Sequence, residues 1–148
     1  NATDPAHPDI IQPLKQPAKA DDYIEGGTFD FYIKHGTNNI LIKASTNYVE
    51  NTLKDYPADV FFLGIAMLGI LPEEFQNTYY SQTVVAAKAK TVIPIHWDNF
   101  TRPLSKPLVP LPKIGDDVEK GLAFLIKKTQ ADGVDFKMMQ SFDRIILF

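Results

Sequence analysis

The sequence predicts an α/β protein whose mixed β-sheet is flanked by helices. Three observations carry this. Stretches of strand-like and helix-like periodicity alternate along the chain. The run Val60-Phe61-Phe62-Leu63-Gly64-Ile65 has no polar side chain, as suits a strand covered on both faces at the centre of a layered sheet. The first two strands read as a hairpin, so the sheet is mixed rather than purely parallel. The expected order is β-β-α-β-α-β-α-β, with a further closing strand or a bend in the last one.

Residues 1–21 hold four prolines and no periodicity, and read as an extended arm or linker; residues 22–148 form the folded unit. Asn1-Ala2 is compatible with a remnant of tag removal, which would put the natural start upstream. Glu25-Gly26-Gly27 allows a bend or a close backbone approach. Phe29, Phe31 and Ile33 then alternate with Asp30, Tyr32 and Lys34, the period of a strand. His35 to Asn39 supplies turn residues, and Ile40-Leu41-Ile42 is the return strand. A short helix is expected over Tyr48 to Lys54, ended by Asp55-Tyr56-Pro57. After the buried strand, Asn77 to Lys90 reads as helix, with Tyr80, Val84 and Ala87 on one side and Lys88 and Lys90 favourable at its C-terminal dipole. Val92 to Ile95 is the next strand. Residues 101–115 carry four prolines and read as a loop on the surface. Asp116 or Asp117 caps a helix to about Ala131, with a stripe of Val118, Leu122, Leu125, Ile126 and Thr129 and with Gly133 at a left-handed terminus. Asp135 to Met139 and Arg144 to Leu147 close the sheet as two strands or one bent strand.

Composition narrows the function classes. The chain has 148 residues, enough for one core, and a net charge of −3 with no basic block, which argues against a nucleic-acid partner. No apolar run reaches the roughly 18 residues of a membrane span, and no targeting segment is visible, so localisation stays open. Cysteine is absent, which removes disulfides, thiol nucleophiles and thiolate metal sites.

Histidines are the first place to look for chemistry. His7 falls in the arm and His35 in a turn, and both read as solvated. His96 follows a buried strand and precedes Trp97-Asp98-Asn99, a polar cluster at a strand end. It is either a metal ligand or a structural histidine at a strand terminus. Ser45-Thr46-Asn47 also follows a strand end and reads either as a helix cap or as part of a site. Gly64 begins a third strand-end loop. Such ends lie side by side in an α/β sheet, so Ser45, Gly64 and His96 can line one crevice. One histidine alone is no zinc site, which needs three or more ligands. Tyr79, Tyr80 and Trp97 suit either an apolar pocket or the core.

GGTFDFYIKHGTNNILIKAS, then DVFFLGI, then a helix and TVIPIHWDNFTRPL resembles the C-terminal half of a metallo-β-lactamase-fold hydrolase, over about Tyr23 to Phe148. The resemblance implies one half of a four-layer αβ/βα sandwich. It implies that His96 corresponds to the last metal-binding histidine, and that Ser45, or else Thr46, stands where the family has a bridging aspartate. The family's HxHxDH motif has no counterpart in this chain, and Ser45 is not a carboxylate. The complete parent is thus expected to hold zinc or another divalent metal and to hydrolyse a small-molecule ester, lactone, amide or phosphoester, while this chain alone is expected to be inactive. Asp98, Trp97, Thr46 and Gly64 are expected to lie behind the metal ligands or to line the pocket, Asp98 either orienting an imidazole or a water or capping the loop. The implied partner is the missing N-terminal half or a second copy of the chain packed sheet on sheet, unless Ile10, Ile11 and Leu14 of the arm cover the bare face. The alternative class is a non-catalytic assembly or binding module with a degenerate metal site.

Overall fold

The computed structural model describes residues 13–19 and 28–148. The expected bend at residues 25–27 and the positions of His7, Ile10 and Ile11 lie outside them. Five strands form one sheet in sequence order: β1 (Asp30–His35), β2 (Asn38–Lys43), β3 (Val60–Gly64), β4 (Thr91–Ile95) and β5 (Asp135–Phe136). β1 and β2 are antiparallel, and every later pairing is parallel. The mixed α/β sheet is therefore as the sequence predicts.

Gly36 makes the hairpin possible. It stands at φ 62 as the first of two loop residues, the place where a type II′ turn needs a residue without Cβ. Between β3 and β4 the chain crosses over through a 3₁₀ turn (Leu68–Ile70) and helix α1 (Glu73–Tyr80), which widens into a π turn (Ser81–Val85). Pro72 precedes α1, and Glu73 and Glu74 sit in its first turn, where negative charge meets the positive end of the helix dipole. Helix α2 (Val118–Asp132) makes the crossover to β5. Asp117 caps it, accepting from the Lys120 N–H at 3.3 Å, and Gly133 ends it at φ 68.

The register sorts the side chains into two faces. Leu41, Phe61, Leu63 and Val92 share one face and join the main core with Tyr79, Val84 and Leu125 from the helices. On the opposite face lie Phe31 and Ile33, Ile40 and Ile42, Val60 and Phe62, and Ile93 and Ile95. That face is apolar along these strands except at one end, where His35, Asn38 and Thr91 lie, and it is graded in cover. Val60 and Ile93 are buried, while Phe31 is 59% and Ile33 45% exposed.

Four expectations need correction. Tyr48 to Lys54 forms turns, not a helix. Seven residues make at most two helical turns and hold too few core contacts to nucleate a helix, and only Leu53 among them is buried. Local and tertiary bonds take over: Thr52 Oγ1 donates to the Val49 carbonyl, and the Asn51 N–H, at φ 62, donates to Gln82 Oε1. The second helical stretch starts at Glu73 rather than Asn77. It closes on Lys88 at φ 47, with the Ala89 N–H bonded to the Val84 carbonyl and the Lys88 N–H to the Val85 carbonyl, the pattern of a Schellman motif. Lys88 thus terminates the helix rather than decorating its last turn, and Lys90 lies beyond it, paired with Asp59 at 2.7 Å. On α2 the buried line is Val118, Gly121, Leu125 and Thr129, and Ile126 is 46% exposed. The closing strand is Asp135–Phe136 alone, and Arg144 to Leu147 is not a strand.

Candidate functional site at the strand ends

β2, β3 and β4 run parallel as neighbours, so their C-terminal ends open at one edge of the sheet. Ser45 lies two residues past β2, Gly64 is the last residue of β3, and His96 immediately follows β4. The three strand ends singled out in the sequence are thus brought to one edge.

Gly64 allows the closest approach there. A Cβ on it would stand 2.6 Å from the Ala44 carbonyl oxygen and 2.9 Å from that of Lys43, both backbone atoms that cannot step aside. The same edge is pinned from below by Tyr79 of α1. Its buried hydroxyl donates to the Gly64 carbonyl at 2.6 Å and reaches the Ser45 carbonyl at 3.4 Å. Burial, reinforced by the negative charge of Asp30, pushes the Tyr79 hydroxyl well above the ordinary phenol range, so it stays a proton donor. Tyr79 and Tyr80 are both core residues rather than pocket walls.

His96 is held in an uncommon backbone state. The Ile65 N–H takes the Ile95 carbonyl at 3.0 Å, after which the chain turns sharply with His96 at φ 59. A non-glycine residue at such φ costs on the order of 1–3 kcal/mol and needs its surroundings to hold it. The surroundings are clear. Trp97 is buried, its carbonyl accepts the Leu111 N–H at 3.2 Å, and the Asn99 N–H bonds to the Val109 carbonyl at 2.8 Å. The proline-rich loop therefore ties down residues 97–99, and the turn at His96 leaves that residue exposed. Trp97 acts as the anchor of this turn.

Ser45 and Thr46 are half-buried. With no helix after them they are not caps, and Asn47 Oδ1 accepts from the neighbouring Tyr48 N–H at 2.8 Å. The buried Thr46 Oγ1 finds no hydrogen-bond partner among the described residues. Asp98 is half-buried and bridges to Pro110 through its backbone.

Asp116 escaped sequence reasoning as anything but a cap. Asp117 takes that role, while the buried Asp116 carboxylate accepts the Met67 N–H at 2.7 Å and holds the loop after β3 in its left-handed turn at φ 64. The doubled aspartate was the signal, since one helix uses only one cap.

A metal would find little here by itself. Among the described residues no three His, Cys, Asp or Glu side chains are gathered to hold one. The strand ends offer one exposed imidazole and two hydroxyl side chains, which are weak ligands while protonated. At these strand ends His96 is the one nitrogen donor among the described residues, short of a complete site. No protein-family model and no curated protein matches the chain.

Proposed function

We propose that the chain is the C-terminal portion of a metallo-β-lactamase-like, metal-dependent hydrolase, in which His96 supplies one ligand and the remaining ligands come from polypeptide outside this chain. The observation that carries the reading is His96 itself. An exposed imidazole is held at φ 59 at the C-terminal edge of parallel strands, where α/β sheets place ligands. Asn51, Met67 and Lys88 take the same left-handed state at turns and a helix end, whereas His96 takes it at the C-terminal end of a parallel strand. The apolar face of Ile40, Ile42, Phe62 and Ile95 supports it, because a four-layer sandwich packs a second sheet on that side. Zinc or another divalent ion, when bound, would polarise the bond of an ester, lactone, amide or phosphoester. The chain's own part is to orient the imidazole and, through Tyr79 and Gly64, to keep the strand ends together.

The test is metal content in the polypeptide that carries both halves. His96→Ala should weaken metal affinity by about tenfold or more, with the fold retained by circular dichroism. Equal metal content in both proteins would return His96 to a structural role. The isolated chain should not turn over lactam, lactone or phosphodiester substrates, and metal-dependent turnover abolished by His96→Ala would show that it needs no partner half. Ser45, a hydroxyl where the family carries a carboxylate, is the observation that favours the second reading, an assembly module whose metal site has decayed.

A further inference from the structure

We propose that β1 is a dimerisation edge: two copies of the chain pair their β1 strands antiparallel about a twofold axis at Tyr32, joining two five-stranded sheets into one. This does not rest on the hydrolase reading, since β1 is the outermost strand, separated from the strand ends of β3 and β4 by β2.

The first support is backbone direction. Asn39 turns both its N–H and its carbonyl away from β1: the N–H donates to Asp59 Oδ2 at 2.8 Å, and the carbonyl accepts the Asp59 N–H at 2.9 Å. Lys34 is the partner of Asn39 across the hairpin, so theirs is the non-hydrogen-bonded kind of antiparallel pair. Alternation then gives Tyr32 and Asp30 the same state. The N–H and carbonyl groups of Asp30, Tyr32 and Lys34 all point outward, and among the described residues no strand pairs with them.

The second support is self-complementarity. A symmetric antiparallel pairing must place one residue opposite its own copy. Centred on Tyr32, it sets Asp30 against the partner's Lys34 and Phe31 against the partner's Ile33, each twice. Centred on Phe31 or Ile33 instead, neither charge meets its opposite. The chosen register makes about six new backbone hydrogen bonds, two for each of three hydrogen-bonded pairs. It also joins the exposed rows of the two copies, in which Phe29 is 60%, Phe31 59% and Ile33 45% exposed. Asp30 already holds Lys43 at 3.2 Å within its own chain, and a carboxylate has lone pairs for a second cation. In this register the opposed charges attract across the strands, where like charges directly opposite would repel.

The absence of cysteine makes the register directly readable. Phe31→Cys and Ile33→Cys are made separately in the full chain at these exposed positions. In the proposed pairing residue 31 faces the partner's residue 33 as a non-hydrogen-bonded pair, with Cα atoms about 4.5 Å apart, within disulfide range. Mild oxidation of an equal mixture should give the mixed disulfide dimer by mass spectrometry, and neither variant alone should cross-link efficiently. Lys34→Glu should weaken the wild-type dimer on the order of tenfold in sedimentation equilibrium, because two attractive cross-strand pairs become repulsive. A wild-type chain that stays monomeric at high micromolar concentration would overturn the proposal. So would single variants that self-cross-link as readily as the mixture, or a dimer indifferent to Lys34→Glu; that last result would point to packing through the sheet face, from which Lys34 projects away.

Discussion

Tyr79→Phe asks whether one buried hydroxyl holds the strand ends together. The ring is fully buried and stacks on Phe75 at 6.2 Å, and phenylalanine keeps that packing. What is lost is the bond to the Gly64 carbonyl at 2.6 Å, with a minor share from Ser45 at 3.4 Å, a length at which little energy remains. Leaving a buried carbonyl short of its donor costs about 1–3 kcal/mol, and the full burial of this site places the expectation near 2 kcal/mol. With a urea slope of about 2 kcal/mol per molar, the unfolding midpoint should fall by about 1 M at unchanged slope. Trp97, the only tryptophan and 6% exposed, reports the transition by fluorescence. Tyr56→Phe, at a 46% exposed ring, serves as the control and should leave the midpoint in place. A Tyr79→Phe midpoint within about 0.2 M of wild type would refute the pinning role, since such a shift is below the cost of any buried bond lost.

Gly69→Ala should cost more than about 3 kcal/mol, beyond the usual range for overpacking, because the added Cβ would lie 1.8 Å from the Asp117 carbonyl oxygen and 2.9 Å from the Gly121 nitrogen. Urea unfolding measures it, and a loss below about 1 kcal/mol would mean that α2 slides away easily. Asp59 governs a pH response: the Lys90 ammonium, then the Asn39 N–H, hold its carboxyl below the usual carboxylate range. A depressed folded pKa stabilises the protein above the unfolded value of about 4 and is lost as pH falls through the folded value. The stability gap between wild type and Asp59→Asn should therefore be flat near neutrality and shrink below about pH 4; a gap that widens on acidification contradicts this.

The legible parts of the fold were those written in local chemistry. The hairpin showed in its period-two alternation around Gly36, and α2 in Asp117 and Gly133 at its two ends. The start of α1 was missed: the periodicity pointed to Asn77, while Pro72-Glu73-Glu74, a proline followed by acidic residues, was the signal of the true start at Glu73. Tyr48 to Lys54 misled because its composition allowed a helix while its bonds went to Gln82, thirty-one residues away from Asn51. The shared edge of the three strand ends was readable because parallel neighbours must end together. Neither the reach of Tyr79 to Gly64 nor that of Asp116 to Met67 has a sequence signal of its own, since each spans a turn of the chain whose path only the packed structure defines.

β1 puts the two kinds of information in tension. An edge strand carrying Phe31 and Ile33 in the open, with exposed Phe29 just before it, ought to be a liability, yet it is well anchored. Its anchors all use the helix-side face: Asp30 holds the nearly buried Lys43, whose ammonium would otherwise lack compensation, and the Tyr32 hydroxyl donates to the Pro57 carbonyl at 2.9 Å while its ring meets Tyr56 edge-on at 5.2 Å. With that face spoken for, none of these contacts uses the apolar row or the outward backbone groups. A strand fastened on one face and one edge, and complementary to itself on the other edge, is better explained by a partner than by chance exposure.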